Sequence, residues 1–320
     1  MNICGLNLFE GEKYKRIQNA LKIIQEIFLA NKNNNFIYLD RNVHDDDYEK
    51  YDAFVTCGDI KIALNQKLIN IFIKLQSSKK PRLIRDVTYL RTIPKLTNLD
   101  INQYPRFSWN SILPNKMNFP FDSKYDRWLE IKKRYNLVVK DYKSKGDKIL
   151  FLLQNPTDSS LNVLNFYQDG YLNFMIKTIN EIFKLTDRQV ILRGHPMNSN
   201  NDVILNYLLK IFLKSKRLLV SKNSNLEDDL NDNIRCVISY NSSGTVEALF
   251  HGVNVINLSE ANPCFTAASN KLSDIENLKN LDREDFLKKI AFLHWENEEL
   301  KSDITKKYLC NLLTESIPRN

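Results

Sequence analysis

Short, continuous apolar runs alternate along this sequence with longer segments whose apolar residues recur at helical spacing. We predict strands at residues 36–40, 53–57, 82–86, 149–153, 189–193, 217–220, 235–239 and 253–257. We predict helices at residues 17–30, 60–76, 127–135, 172–183, 203–213, 245–251 and 285–293. Strands alternating with helices of this length indicate βαβ units and parallel sheets, so the chain is predicted to be an α/β protein. The core strands are apolar at successive positions, as expected when helices cover both faces of a sheet.

The alternation is interrupted once, between residues 92 and 126. This segment is rich in aromatic and turn residues, contains four prolines and has no helical period. A structureless stretch of this length is usually functional rather than a simple connector. Farther along, Gly146 lies just before the strand predicted at 149–153. We therefore place a domain boundary near residues 140–147 and predict two Rossmann-like domains that face a cleft, with the ligand between them.

The composition is that of a large folded chain from a reducing compartment. With 320 residues and 43% hydrophobic content, the chain is long enough for two domains with sizeable cores. No apolar run approaches the ~18–20 residues that a membrane span needs, and the first residues lack the pattern of a secretion signal. The five cysteines contain no CxxC pair, which argues against a disulfide framework and against a zinc site. We expect a cytoplasmic protein with buried cysteines.

The net charge narrows the class of partner. The sequence has 46 Lys and Arg residues against 38 Asp and Glu residues, which gives a formal charge of +8. A basic balance favours polyanionic partners such as nucleic acid, nucleotides or an anionic membrane surface. The charge alone does not choose among them.

A polar loop at residues 241–245 (Asn-Ser-Ser-Gly-Thr) separates a predicted strand from a predicted helix. Backbone N–H groups and hydroxyls at a helix N-terminus favour a phosphate. A Ser/Thr cap at an ordinary βα turn is the alternative, although four consecutive small polar residues exceed what a cap requires. Glu247, in the first turns of the helix, could reach a ribose hydroxyl. We favour phosphate binding at this loop.

Two further loops follow predicted strands at their carboxyl ends. Arg193 and His195, in an Arg-Gly-His-Pro turn after the strand at 189–193, can neutralise a diphosphate. A purely structural histidine is the alternative there. In the loop after the strand at 149–153, Gln154 and Ser159 are candidate ligand-binding residues, and a simple polar turn is the alternative.

The order of these motifs resembles a known family. Residues 154–161 (QNPTDSSL), 186–196 (TDRQVILRGHP) and 237–256 (VISYNSSGTVEALFHGVNVI) look like the nucleotide-binding half of GT-B-type glycosyltransferases. More narrowly they are similar to capsule-polysaccharide and Kdo-type transferases, some of whose bacteriophage-encoded relatives attach sugars to modified DNA bases. Three further segments resemble those phage-type members: the aromatic Trp-Asn loop at 107–110, Asp-Arg-Trp at 126–128, and the Trp–acidic segment at 294–296. The resemblance covers residues 105–300, and it departs from the family pattern at Asn254, where a proline is usual.

The resemblance implies roles for the donor-side residues. Arg193 and His195 would face the diphosphate of a nucleotide sugar, and Glu247 would bind its ribose. The phosphate oxygens would be bound by Ser242, Ser243, Gly244 and Thr245. Transferases of this sort need no metal, because basic side chains and a helix dipole stabilise the leaving diphosphate. We therefore expect no cofactor besides the substrate, which we take to be a UDP-sugar.

The resemblance also assigns the domains. Residues 1–145 would form an acceptor-binding domain, residues 146–295 the nucleotide-sugar-binding domain, and residues 296–320 a C-terminal helix that packs back on the first domain. The general base for the acceptor hydroxyl normally comes from the first domain. Asp86 ends one predicted strand and Asp59 follows another, so both carboxylates are candidates. A helix cap is the alternative role, above all for Asp59, and we favour Asp86 as the base.

The glycosyltransferase hypothesis has two versions, which differ in the class of acceptor. We favour a hydroxymethylated pyrimidine in double-stranded phage DNA, in the host cytoplasm. The basic stretch 132–148 would contact its backbone, and the aromatic loop 104–121 would stack on a flipped base. With a capsule or lipopolysaccharide acceptor, the same charge would attract the chain to an anionic membrane. A solvated linker is the structural alternative for the basic stretch.

Three other functions stay open as alternatives. A sugar-nucleotide epimerase or a glycerol-phosphate-type transferase could use the same fold, but an epimerase needs several acidic residues around the sugar ring, and the second half offers few near its loops. A non-enzymatic nucleic-acid-binding module is disfavoured, because such proteins usually bind through helices or open sheets rather than through phosphate-suited loops on parallel strands.

Overall fold

The computed structural model describes residues 1–6, 15–39, 47–57, 74–75, 77–78, 80–86, 89–90, 93, 106–110, 126–143, 145–156, 161, 168–196, 198–296, 298–306 and 308–309. Most of the helix predicted at 60–76 lies outside these residues, and so do the candidate site residues Asp59 and Ser159.

The first unit is built on a five-stranded sheet. Its strands are β1 (Asn2–Leu6), β2 (Asn35–Leu39), β3 (Ala53–Cys57), β4 (Arg82–Asp86) and β5 (Arg106–Trp109). They lie in the order β2-β1-β3-β4-β5, and all are parallel except β5, which runs antiparallel to β4 at the edge. Helix α1 (Lys15–Leu29) connects β1 to β2 and packs on the sheet through Leu21, Ile24 and Phe28.

The second unit is built on a five-stranded parallel sheet. Its strands are β6 (Lys148–Leu152), β7 (Gln189–Arg193), β8 (Leu218–Val220), β9 (Ile234–Ser239) and β10 (Asn254–Asn257). They lie in the order β10-β9-β6-β7-β8. Numbered from β6 and followed from the β8 edge, this order is 3-2-1-4-5, which is that of a doubly wound Rossmann sheet.

Six described helices belong to this half of the chain. They are α2 (Arg127–Tyr135), α3 (Gln168–Leu185), α4 (Asn201–Ile211), α5 (Leu226–Asn231), α6 (Gly244–Phe250) and α7 (Arg283–Ala291). Short 3₁₀ turns occur at Asp47–Lys50, Leu272–Asp274 and Glu299–Lys301. Gly252 ends α6 with a φ of 73°, a left-handed conformation that favours glycine.

Two sheets of mainly parallel strands with helices between them confirm the predicted α/β class. The prediction of a structureless segment at 92–126 was wrong where β5 lies. This four-residue strand buries Arg106, Phe107 and Ser108 in succession, so no alternation of polar and apolar residues marked it. Strand β1 was not predicted either. It contains Gly5, whose backbone lies so close to Phe36 that a Cβ would come within 2.6 Å of that ring.

Reciprocal packing ties the two units together. Phe292, Trp295 and Leu300, which follow α7, are buried in the core of the first sheet. In return, Tyr89 and Leu90, which follow β4, are buried in a core that they share with α2 and α7. The segments that follow β4 and α7 therefore each pack into the core of the other unit. The domain limits at 145 and 295 stay predictions.

Candidate functional site

The order of the second sheet reverses between β6 and β9. In open α/β sheets, ligands bind in the crevice at the carboxyl ends of the strands beside such a point. Leu152 near the end of β6 is paired in register with Arg193 at the end of β7 and with Ser239 at the end of β9. The three strands therefore end at the same level, and the loops that follow them leave from one edge of the sheet.

Gln154 and Asn241 join the loops that follow β6 and β9. The side-chain amide of Gln154 donates a hydrogen bond to Oδ1 of Asn241, and its backbone N–H donates to the Tyr171 hydroxyl at 2.8 Å. Both amide side chains are buried. Because neither is charged, this contact fixes the two loops without placing a charge in the crevice.

Hydroxyl groups hold the loop at residues 241–245. Ser242 Oγ accepts from the N–H of Gly244 at 3.2 Å, whereas the side chain of Ser243, at the N-cap position of α6, makes no capping hydrogen bond. Thr245 Oγ1 lies 2.7 Å from the carbonyl oxygen of Ser242 and 3.0 Å from Oδ1 of Asn262. Ser242 and Thr245 therefore have structural partners, and helix capping does not account for Ser243.

Gly244 and Asn262 fix the start of α6. A Cβ on Gly244 would lie 2.9 Å from Leu226 and 3.0 Å from Leu152, so the helix begins directly against the end of β6. The buried Asn262 donates to the carbonyl oxygen of Tyr240 at 3.3 Å. Asn262 is not among the residues predicted from the sequence. Its signal was the Asn-Pro dipeptide at 262–263, which marks a turn shortly after the last strand.

Glu247 is a buried carboxyl group on α6, with only 6% of its surface exposed. Burial and the carboxylate of Glu227 outweigh the opposing effect of Arg193 and raise the pKa of Glu247 from its usual 4.5 to about 8. At neutral pH the group is therefore mainly protonated. A protonated carboxyl can donate a hydrogen bond to a ligand hydroxyl without repelling a nearby phosphate.

Arg193 is engaged by the protein itself. Its guanidinium group forms an ion pair with the buried Asp229 and donates to the carbonyl oxygens of Asn223 at 3.1 Å and Ser224 at 3.2 Å. Asp229 thus balances the charge of Arg193 and fixes the segment before α5 against the end of β7. Asp229 is not among the residues predicted from the sequence, because its pairing with Arg193 depends on the tertiary fold. Contact between Arg193 and a diphosphate stays a prediction.

His195 lies in the loop between β7 and α4 and is partly exposed. Its carbonyl oxygen accepts from Nδ2 of Asn201 at 2.6 Å and from the N–H of Asn198 at 3.0 Å. A Cβ on the neighbouring Gly194 would lie 2.6 Å from the Asn201 side chain. The first residue of α4 therefore sets the position of the turn that carries His195.

At the corresponding edge of the first sheet, Asp86 lies in an ion pair. Its Oδ2 is 2.6 Å from Nη2 of Arg106, which is buried. Arg106 also donates to the hydroxyl of Tyr89, and its guanidinium carbon lies 4.0 Å from the centre of that ring. The charge of the predicted base is thus balanced by a neighbouring strand. Asp59 follows β3, a strand at the point where the order of this sheet reverses, but it lies outside the described residues.

His294 connects this edge to the second unit. Its Nε2 accepts from the N–H of Tyr89 at 3.0 Å, and its Nδ1 lies 2.6 Å from the carbonyl oxygen of Ile290. These contacts assign the neutral tautomer with the proton on Nδ1. Burial lowers the pKa of His294 from 6.5 to about 3. The histidine is therefore a neutral structural link.

The three segments that resemble phage-type transferases meet at this link. Phe107 donates its backbone N–H to the carbonyl oxygen of Leu293 at 2.7 Å. Arg127 forms an ion pair with Glu299 and lies 4.4 Å from the Trp295 ring centre. Since Arg127 is buried, these contacts join the two units.

The contacts of the basic stretch 132–148 differ from those expected of a DNA-binding surface. Four of its seven basic side chains form ion pairs with acidic residues from later in the chain: Lys132 with Glu284, Arg134 with Glu296 and Glu299, Lys140 with Glu227, and Lys148 with Asp232. Much of the stretch's charge is thus neutralised within the chain. The solvated-linker alternative is also incomplete, because these ion pairs fasten the stretch to later parts of the chain.

The described part of the chain also determines the state of four cysteines, the grouping of metal-ligating side chains and the length of the apolar helices. Cys4, Cys57, Cys236 and Cys264 are buried free thiols, as predicted, while Cys310 lies outside that part. Among the same residues, His, Cys, Asp and Glu side chains form no group of three or more that could hold a metal ion. The described helices include none that is long and apolar enough to cross a membrane.

With this geometry in place, comparison with solved structures assigns the chain a GT-B-type fold. Two structures of KpsC from Thermosulfurimonas dismutans align over nearly the whole chain. The β-Kdo 2,4 transferase has a TM-score of 0.52 and 15% identity over 98% of this chain and 97% of its own. The β-Kdo 2,7 transferase has a TM-score of 0.52 and 14% identity over 98% of this chain and 99% of its own.

At such identities, the likeness to KpsC shows a shared fold and nothing finer. The UDP-GlcNAc 2-epimerase of Methanocaldococcus jannaschii aligns over 98% of this chain and 100% of its own, with 16% identity but a TM-score of only 0.32, so it carries no argument. No protein-family model matches the sequence, and no curated protein matches it.

Proposed function

We propose that this protein is a glycosyltransferase that moves a sugar from a nucleotide-activated donor to a hydroxyl acceptor. The observation that carries the proposal is the junction of the loops after β6 and β9, which the Gln154–Asn241 hydrogen bond fixes at the reversal point of a Rossmann-type sheet. That position suits a nucleotide, because loop N–H groups and hydroxyls there can face phosphate oxygens. The GT-B-type fold supports the same class of activity.

The proposed donor site stabilises the leaving group with few protein charges. Ser243 and His195 would contact the phosphate oxygens from two loops of the same edge. Glu247, mainly protonated at neutral pH, would donate to a ribose hydroxyl without adding a negative charge beside the diphosphate. Hydrogen-bond donors fixed in advance around developing charge are a major source of rate enhancement.

The acceptor would be activated from the first unit. Asp86 is our candidate base, and its ion pair with Arg106 would hold the carboxylate in one orientation. Asp59 remains the alternative. Substitution of each aspartate distinguishes the two assignments.

For the acceptor we now favour a carbohydrate over a DNA base. The DNA hypothesis relied on the charge of the stretch 132–148 together with the aromatic loop 104–121. Ion pairs neutralise more than half of the basic side chains of that stretch. Kdo is a sugar, so the activities named for the two KpsC structures are of the proposed class. A hydroxymethylated pyrimidine in double-stranded DNA stays the second candidate.

A turnover assay tests the proposal. The protein is incubated with UDP-glucose and a panel of other nucleotide sugars, and release of the nucleotide is measured with oligosaccharide acceptors, with hydroxymethylated duplex DNA, and without acceptor. We expect acceptor-dependent release with an oligosaccharide. Release that depends on DNA would instead support the second candidate acceptor, a hydroxymethylated pyrimidine in double-stranded DNA. No release with any donor, or interconversion of donor sugars without transfer, would contradict the proposal.

The same assay tests the proposed absence of a metal requirement. Addition of EDTA should leave the initial rate within about twofold, because the leaving group is stabilised by protein hydrogen bonds. A loss of activity that Mg²⁺ or Mn²⁺ restores would contradict this part of the proposal. We also propose, from the buried free cysteines, that the protein works in the cytoplasm. Detection of the protein in the periplasm or the culture medium after cell fractionation would contradict this assignment.

A further inference from the structure

The outer face of α4 exposes a continuous apolar stripe. Val203 and Leu213 are 69% and 79% exposed, and Tyr207 and Ile211 lie between them with more than two-fifths of their surface exposed. Successive helix positions are rotated by about 100°, so residues four apart are offset by only about 40°. Val203, Tyr207 and Ile211 therefore share one face of the helix, and Leu213 follows in the turn just after it.

This stripe is separate from the core face of the same helix. Leu205, Leu208 and Phe212 are buried in the core of the second sheet. The exposed apolar residues are thus additional to those that the fold needs. Contiguous exposed apolar residues on a folded protein often mark an interaction site.

Lysines lie along and beside the stripe. Residues 201–222 contain five basic residues and one acidic residue. Lys210 lies on the face of the stripe, and Lys214 and Lys216 follow in the turn. All three are exposed, and within the described residues none of them has an ion pair, in contrast with Lys132, Lys140 and Lys148.

We propose that this α4 surface, formed by Val203, Tyr207, Ile211, Leu213 and the lysines 210, 214 and 216, docks the protein on an anionic lipid membrane. The apolar side chains would enter the boundary between headgroups and acyl chains, and the ammonium groups would lie at the level of the lipid phosphates. A helix with an apolar face and lysines beside it binds a membrane by this combination of burial and charge. The lysines are complementary in charge to anionic lipid, which favours an anionic membrane as the binding partner of this surface.

Two other occupants fit less well. A second copy docked by a two-fold axis would bring two copies of the same basic surface into one interface, and this excess of like charge opposes association. Strand β8, beside α4 at the edge of the sheet, has only three residues and offers little for strand pairing with another chain. Nucleic acid would use the lysines but would gain little from Val203 and Leu213, which are aliphatic and highly exposed.

Co-sedimentation with vesicles tests the docking surface without requiring turnover. We expect the full chain to sediment with phosphatidylcholine vesicles that contain about 30% phosphatidylglycerol and to stay in solution with phosphatidylcholine alone. Leu213→Ser should lower the partition coefficient about tenfold, because a buried leucine side chain is lost from the lipid boundary. The double variant Lys214→Gln, Lys216→Gln should lower it on the order of 20-fold.

Two control variants test whether a loss of vesicle binding is specific to the α4 surface. Val138→Ser removes an apolar residue that is 70% exposed elsewhere, and Lys133→Gln removes an exposed lysine of α2. Both should bind vesicles as the unmodified chain does. The proposal is overturned if the chain does not bind anionic vesicles, if it binds neutral vesicles equally well, or if the controls weaken binding as much. Light scattering that shows a dimer converted to a monomer by Leu213→Ser would assign the surface to a second copy instead.

Discussion

The loops at the carboxyl edges of the two sheets are held in different ways. At the edge of the second sheet, uncharged contacts such as Gln154–Asn241 and Thr245–Asn262 fix the loops after β6 and β9, and the ion pair of Arg193 with Asp229 lies at the end of the next strand, β7. At the edge of the first sheet, Asp86 is held in an ion pair by Arg106. The reversal point of the second sheet is thus lined mainly by uncharged hydrogen-bonding groups, while the first edge presents a carboxylate of fixed orientation. The difference supports an anionic donor at the second edge and a hydroxyl acceptor at the first.

The two edges also differ in whether their contacts come from one unit or from both. The second edge is built from loops of its own unit. At the first, Tyr89 bonds to Arg106 and also to His294, which is 205 residues away in the sequence. Substitutions at the junction of the units should therefore alter the position of Asp86 and leave the loops after β6 and β9 nearly unaffected.

Asp86→Asn should have the largest effect on activity. Loss of the general base should lower kcat by a factor of ~10²–10⁴ while donor binding is kept, because Asp86 belongs to the other edge. Steady-state kinetics and calorimetric titration of the nucleotide separate the two quantities. Asp59→Asn is the control and should keep kcat within about tenfold. If Asp59→Asn abolishes turnover and Asp86→Asn does not, the base has been assigned to the wrong residue.

Arg127→Ala should have the largest effect on stability. Arg127 is 1% exposed and pairs with Glu299, so its removal leaves a largely buried carboxylate without its main partner. The free energy of unfolding in urea should fall by about 3–5 kcal/mol. Arg134 pairs with the same carboxylate but is 43% exposed, and Arg134→Ala should cost less than about 1 kcal/mol. Equal losses in the two variants would contradict a buried link between the units.

Ser243→Ala and His195→Ala should weaken catalysis at the second edge without unfolding the chain. Each should lower kcat/KM by a factor of ~10²–10³ if the side chain stabilises the leaving diphosphate. Ser242→Ala is the structural control, since it removes the acceptor for the N–H of Gly244 and should cost about 1 kcal/mol of stability. Near-normal activity in both Ser243→Ala and His195→Ala, with the fold intact, would mean that the donor site lies elsewhere.

Glu247 should give the smallest effect, a dependence of stability on pH. Between its usual pKa of 4.5 and about 8, the folded group keeps a proton that the unfolded group has lost, so stability falls as the pH rises through this window. From about pH 6.5 to about pH 8.5, the chain should lose about 2 kcal/mol relative to Glu247→Gln. His294, whose lowered pKa destabilises the fold only below 6.5, does not interfere there. If the free energy of unfolding depends on pH in the same way for the unmodified chain and for Glu247→Gln, the raised pKa is contradicted.

Apolar periodicity was enough to predict much of the fold. Strands β3, β4 and β7 begin and end at the predicted residues, because each is an apolar run bounded by polar residues. Helix α5 was not predicted, since its six residues, LEDDLN, contain only two leucines and no full helical period. The antiparallel pairing of β5 was equally hidden, because four residues carry too little pattern to predict a strand or its direction.

The loops of the candidate site could be predicted from the sequence, but the residues that pair with its side chains could not. Gln154, His195 and Ser242 all follow strands that the sequence predicts, so the shared edge could be predicted from topology. The engagement of Arg193 by Asp229 could not, because charge alone does not identify the partner. For the same reason, the basic stretch 132–148 suggested a polyanion, whereas much of its charge is satisfied inside the chain.

Hydrogen exchange measured by mass spectrometry, with and without UDP, tests the location of the donor site most directly. UDP should slow exchange at residues 193–195 and 239–247 and leave residues 82–86 unchanged, because the nucleotide contacts only the second edge. Protection confined to the first unit, or no protection at either edge under saturating nucleotide, would contradict a nucleotide site at the junction of β6 and β9.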